Sequence, residues 1–318
     1  MAVTLADIKK LRDITGAGMM DVKKALEEAN GDFEVAKDLL RKRGQAIAAK
    51  RSDREASEGC VLAKVKDGFG AIVGVKCETD FVAKNEDFVG MVKLILDAAL
   101  DNKVQSKEEL AALKIGNFTV LEIITERSGV TGEKMELADY ACLEAPVVDA
   151  YNHLGNKLSS LVAAAEGADH ETVHGISMQV AAMAPIALDA DHVAEEVKKH
   201  ELEVAIENAL RKAGLNPAHC DSDDHIASNT TKGWLTEEQA EVARNIRATV
   251  PAEAEANLAN QAKKIEMIAQ GRLGKFLKEN TLVEQAYIMS ESKELVKDVL
   301  KAKGVTILDF RRITLSAE

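Results

Sequence analysis

The sequence predicts an α+β protein, on three observations. The first 50 residues break into short helices. The hydrophobic period then switches to that of strands near residue 59. A hairpin-plus-helix pattern occurs twice, over about 60–100 and again over about 146–183. The length of 318 residues, with 46% hydrophobic and 30% charged, suits a globular chain with more than one packed unit.

Residues 7–14 form the first helix, with Ile8 and Leu11 facing inward, and Thr15-Gly16-Ala17-Gly18 breaks it. A second helix over 19–29 stops at Asn30-Gly31. Asp32 caps a third, in which Val35, Ala36, Leu39 and Leu40 follow helical spacing and Gly44 reads as the end. Met19 and Met20 are adjacent and cannot both enter one core. Either one of them meets solvent as an adaptable contact or it merely shields the module. Residues 45–57, with Lys50, Arg51 and Arg54, read as a helical linker.

Val61-Leu62-Ala63-Lys64-Val65 and Ala71-Ile72-Val73-Gly74-Val75 flank an Asp67-Gly68 turn, a strong hairpin signal. The second strand runs into Cys77-Glu78, then into Thr79 and Asp80, which are turn and N-cap residue types. Phe81 follows, between Asp80 and Lys84. It has two readings: folded back onto the core, or held out at a tip. A helix over 88–100, a linking helix over 107–113 and a strand over 119–124 come next.

The second copy has strands over 146–151 and 158–164 around a turn at 152–156, then a helix over 170–183 stopped before Pro185. Laying Gly70 against Gly155 brings Glu78 near Glu166 and Asp80 near Asp169. Beyond it, 190–214 is a long charged helix, 214–229 a polar loop, and 235–250 and 252–269 are helical. Two long helices joined at a distant tip make a protruding antiparallel arm, suited to self-association as a homodimer. Residues 271–276 lead into a loop reaching 287–289, and a helix over 293–302, a strand over 305–313 and a short tail over 314–318 end the chain.

Several function classes fall away. A net charge of −12 argues against nucleic acid as the main partner. No apolar run is long enough to cross a membrane, and the N-terminal residues resemble neither a signal nor a transit peptide. The four cysteines form no CxxC pair, which points to a reducing cytoplasm rather than to disulfides or zinc. Gly16-Ala17-Gly18 lacks a third glycine and a preceding strand, so no nucleotide cofactor is expected. His170 and His174 stand four apart without the glutamate of a zinc protease. The His219 to His225 stretch lacks the glycine of a calcium loop, and Cys77 has no activating neighbour. No metal, cofactor or covalent chemistry is therefore expected.

The run from Leu11 to Leu26 (Leu-Arg-Asp-Ile-Thr-Gly-Ala-Gly-Met-Met-Asp-Val-Lys-Lys-Ala-Leu) and the run Thr79-Asp80-Phe81-Val82-Ala83-Lys84 together resemble the bacterial elongation factor Ts family. Gln179-Val180-Ala181-Ala182 and the segment from Ser292 to Phe310 are similar too. The resemblance implies a guanine-nucleotide exchange factor for elongation factor Tu, an exchange factor rather than an enzyme. It implies a ubiquitin-associated-like three-helix module over 1–55 and a two-part core over 56–140 and 141–192. A coiled-coil arm over 193–268 and a return to the core over 269–318 complete it. It also implies partner contacts at Arg12, Met19 and Met20 and at Gln179, a position often His in the family. Thr79, Asp80, Phe81 and Val82 would insert near the GTPase switch region and disturb its magnesium site, which favours the exposed reading of Phe81.

Overall fold

The computed structural model describes residues 3–51, 53–259 and 270–315. It mixes helices with small antiparallel sheets and divides into two compact units, Met1–Ala184 with Leu300–Glu318, and Pro185–Val299.

Three helices open the first unit. α1 (Leu5–Thr15) begins with a capping box in which Thr4 and Asp7 satisfy each other's backbone N–H groups, and Gly16 closes it at φ 68°. α2 (Met19–Glu28) and α3 (Phe33–Ala49) follow, the latter capped by Asp32. Leu11, Val22, Ala25, Leu26 and Ala36 are fully buried and form the small core between them. Gly44 does not end α3, as the sequence suggested. The helix runs on to Ala49 and Gly44 is buried against Gly129. A glycine inside a helix crossing permits close approach instead of marking a stop.

β1 (Glu58–Lys66) and β2 (Phe69–Cys77) form the expected hairpin. Asp67 and Gly68 at its turn lie at φ 50° and 74°, the left-handed pair a tight two-residue connection requires. After β2 come α4 (Asp80–Ala83), α5 (Glu86–Asp101), α6 (Lys107–Ala112) and the short pair β3 (Lys114–Ile115) and β4 (Phe118–Thr119). Of residues 119–124, expected as a strand, only Thr119 is in one, and 120–124 instead start α7 (Val120–Thr131). Thr119 and Glu122 build a second capping box there, and the reciprocal N–H bonds override the strand preference of the β-branched residues. β5 (Met135–Glu144) pairs with the open edge of β2 and was not anticipated. It is partly covered on both faces, so its sequence lacks clean alternation.

The plan recurs. β6 (Val147–Asn152) and β7 (Leu158–Ala164) form a hairpin, α8 (His170–Met183) follows, and β8 (Ile307–Thr314) pairs with the open edge of β7. Each sheet slips register where its third strand meets the middle one, at Gly74/Val75 and at Ala163/Ala164. At each slip an aspartate accepts the N–H of the aromatic residue after it, Asp139 from Tyr140 and Asp309 from Phe310, both at 2.8 Å. Tyr140 faces Val73 and Phe310 faces Val162, so the two plans superpose with Gly70 on Ser159 rather than on Gly155.

The middle strand β2 is buried on both sides. Phe69, Ala71, Val73, Val75 and Cys77 pack in the cluster that includes Phe88, Val92 and Ile95 of α5. Ile72 packs in a second cluster with Val148, Leu161 and Ile313 of the other sheet. Gly70 allows that approach, since a Cβ there would stand 2.8 Å from Val148 Cγ1. The residues after Cys77 therefore leave a strand fixed from above and below.

The second unit holds α9 (Glu195–Lys212), α10 (Asp223–Thr231), α11 (Glu237–Ala259), α12 (Gln270–Asn280) and part of α13 (Val296–Lys303). Residues 214–229 are not a polar loop. They form a 3₁₀ turn (Pro217–His219) and the start of α10, with Leu215, Cys220 and Ile226 buried against residues of α9 and α11. Those three apolar residues are too widely spaced to show a helical period. Residues 237–259, which take in most of both expected helical stretches, form α11, a single helix with Pro251 inside it. Residues 271–276, read as leading into a loop, lie in α12. The helix expected from 293 starts at Val296. The readings of 260–269 as arm helix and 316–318 as tail lie outside the described residues.

Candidate functional site

Cys77 ends β2 inside the core, and the next residues turn outward under several restraints. Thr79 is the pivot. Its Oγ1 accepts the N–H of Val82 and caps α4. Its own N–H donates to Glu133 Oε2 at 3.1 Å and its hydroxyl donates to Glu133 Oε1 at 2.6 Å. The Cys77 thiol donates to the Thr79 carbonyl at 3.3 Å. Glu78 accepts the N–H of Lys134 at 2.6 Å and pairs with Arg54 at 3.0 Å. The Lys134 N–H first, then Arg54 and Arg51, outweigh burial and hold its carboxyl below the usual glutamate range. On the outer side Asp80 and Lys84 form an ion pair at 2.8 Å across one helical turn.

Within α4 the side chains divide. Val82 packs against the core and Ala83 is buried, while Phe81 is 84% exposed. Burying a phenylalanine is worth about 1.5–3 kcal/mol, and this chain forgoes that at a position its own backbone bonds hold in place. Of the two readings of Phe81, the structure has the ring held out at a tip.

On the three-helix module Arg12 is exposed, and both methionines reach solvent, Met19 at 42% and Met20 at 65%. Ile14 at the end of α1 is exposed as well, off the stripe that carries Ile8 and Leu11, an offset visible in the helical spacing. Gln179 does not join the surface: it lies in α8 and is fully buried, so its side chain offers a partner no contact in this conformation. Glu133, Lys134 and Arg54, which brace the tip, carry no local sequence signal, because the contacts reach across 54, 56 and 24 positions.

Cys77, His174, His219 and His225 are otherwise engaged. Burial first, then the nearby Glu133 and Glu58 charges, push the Cys77 thiol up to about 12, so it stays protonated at neutral pH. His174 pairs with Asp149 at 3.0 Å, His225 pairs with Asp221, and the His219 ring stacks 5.4 Å from Trp234. Among the described residues no group of three His, Cys, Asp or Glu side chains could hold a metal ion, and no helix is long and apolar enough to cross a membrane.

A family model described as Elongation factor TS matches residues 78–317. Curated relatives named Elongation factor Ts align over 100% of this chain and 100% of their own length. They include those of Bacteroides fragilis at 53% identity, Phocaeicola vulgatus at 52% and Porphyromonas gingivalis at 42%.

Proposed function

The chain belongs to the elongation factor Ts family, and we propose on that premise that it is a cytoplasmic guanine-nucleotide exchange factor for the GTPase elongation factor Tu. Its binding to the empty GTPase is tighter than to the loaded one. By linkage it weakens the nucleotide's hold by the same factor, with no covalent step and no cofactor. Thr79, Asp80, Phe81 and Val82 form the element that enters the GTPase. Phe81 acts as a wedge, because packed interfaces switch between arrangements rather than stretch. Displacing groups around magnesium removes charge neutralisation from the β-phosphate, and GDP leaves. Arg12, Met19 and Met20 dock the three-helix module and set how much of the complex forms at a given concentration. Gln179, buried in α8, supports the body from within.

The observation that carries this reading is an 84% exposed phenylalanine on a turn fixed by Glu133 and Lys134. The test is release of a fluorescent GDP from elongation factor Tu with substoichiometric protein. Wild-type protein accelerates release and Phe81→Ala loses most of the acceleration. A complex on a sizing column with no acceleration by the wild type would leave a binding scaffold led by the Met19 and Met20 surface, and would end the exchange reading.

A further inference from the structure

We infer that Glu133 is the positioning residue of the Phe81 tip: by holding Thr79 with both carboxylate oxygens it sets the maximal rate of nucleotide release without touching the partner. The inference rests on the exchange reading above and concerns a residue outside the 79–84 run. Glu133 lies in the turn between α7 and β5, just after Gly132, whose φ of 73° closes the helix. The turn is itself held, since Ser128 Oγ donates to the Glu133 carbonyl at 2.5 Å. From there both Glu133 oxygens are used on a single residue, one on the Thr79 N–H and the other on its hydroxyl. The hydroxyl is thereby oriented so that its free lone pair accepts the Val82 N–H and caps α4.

The neighbouring residues repeat the link in the opposite sense. Lys134 donates its backbone N–H to Glu78, while its ammonium reaches the Arg54 carbonyl at 2.9 Å. Two consecutive residues of one turn therefore clamp two consecutive residues of the other, each through a charged acceptor, the stronger class of hydrogen bond. α4 has only four residues and cannot hold its own geometry, since a single helical turn is unfavourable in isolation. Without Glu133 the tip becomes an ensemble, and the wedge must be ordered anew at each encounter. That cost falls on the step in which Phe81 enters, not on docking of the three-helix module.

The test measures release of a fluorescent GDP as a function of exchange-factor concentration for wild type, Glu133→Ala, Glu133→Gln, Phe81→Ala and the Phe81→Ala/Glu133→Ala double variant, with melting curves for each. Glu133→Ala is expected to lower the maximal release rate by about tenfold or more, with half-saturation within about threefold of wild type. Glu133→Gln, which keeps one acceptor oxygen in place, is expected to recover part of that loss. In the Phe81→Ala background Glu133→Ala is expected to add less than about twofold, because it acts through that ring. A wild-type maximal rate in Glu133→Ala overturns the inference, and so does an equal further loss in the Phe81→Ala background. If Glu133→Ala does not fold, Glu133→Gln decides alone: a reduced maximal rate at unchanged half-saturation supports the inference and a wild-type rate overturns it. Failure of the wild type to accelerate release overturns the exchange reading and this inference with it, and is told apart by appearing before any variant is compared.

Discussion

Gly44 of α3 and Gly129 of α7 meet backbone to backbone. A methyl group on Gly44 would stand 3.3 Å from the Gly129 Cα, and one on Gly129 would run into the Gly44 backbone itself. The three-helix module is seated on the core at this crossing, and the helix it touches leads directly to Glu133.

Gly129→Ala is expected to destabilise the protein despite improving helix propensity. Alanine in place of glycine favours a helix by about 1 kcal/mol, but overpacking against a backbone that cannot move costs about 1–3 kcal/mol. A net loss of up to about 2 kcal/mol in chemical denaturation is the expected result. A gain in stability would show that the two helices can separate freely.

Phe81→Ala is expected to leave folding stability within about 0.5 kcal/mol of wild type, because the ring contributes little to the core. The same variant is expected to lose most of the acceleration of GDP release. Paired denaturation and release measurements check this. A large loss of stability would mean that the ring is sheltered in solution.

Glu78 makes the brace sensitive to acid. Its folded-state pKa lies below the ordinary 4.5, so its stabilising contribution is fully present above that value and is lost as the pH falls through the folded one. Stability of the wild type is therefore expected to fall, as the pH is taken from neutral to below 4.5, by more than that of Glu78→Gln. Urea midpoints for both proteins across this range measure it, and parallel curves would remove Glu78 from the account.

Thr119→Ala is expected to cost about 1 kcal/mol by removing the cap of α7, and Thr119→Ser to cost much less. Denaturation midpoints report the difference. Equal losses in the two variants would assign the effect to the threonine methyl group instead.

What the sequence revealed and what it hid divides along physical lines. The Asp67-Gly68 turn, the Asp32 cap and the apolar stripe of α5 are local signals, and each element is legible from its own residues. Thr119 to Ile124 has the composition of a strand because β-branched residues dominate it, and the Thr119/Glu122 capping box is the local signal that makes it a helix start. Gly44 suggests a stop because a glycine that ends a helix and one that lets another helix approach look the same in one dimension. β5 escaped because partial cover on both faces erases alternation. For the candidate site, the Phe81 run was legible but its support was not. No spacing rule connects Thr79 to Glu133, and only the fold brings them together.

The two halves of the core follow one plan, yet only the first sets a short helix between its middle strand and its long one. In the second, β7 reaches α8 through a plain connection capped by Asp169. The Phe81 tip is thus an ornament on a linker, and the load of holding the body together falls on strands and helices that both copies share. Such an arrangement leaves the tip open to change at little risk to the architecture beneath. The undecorated copy stands beside it as a natural control for what that body looks like without the ornament.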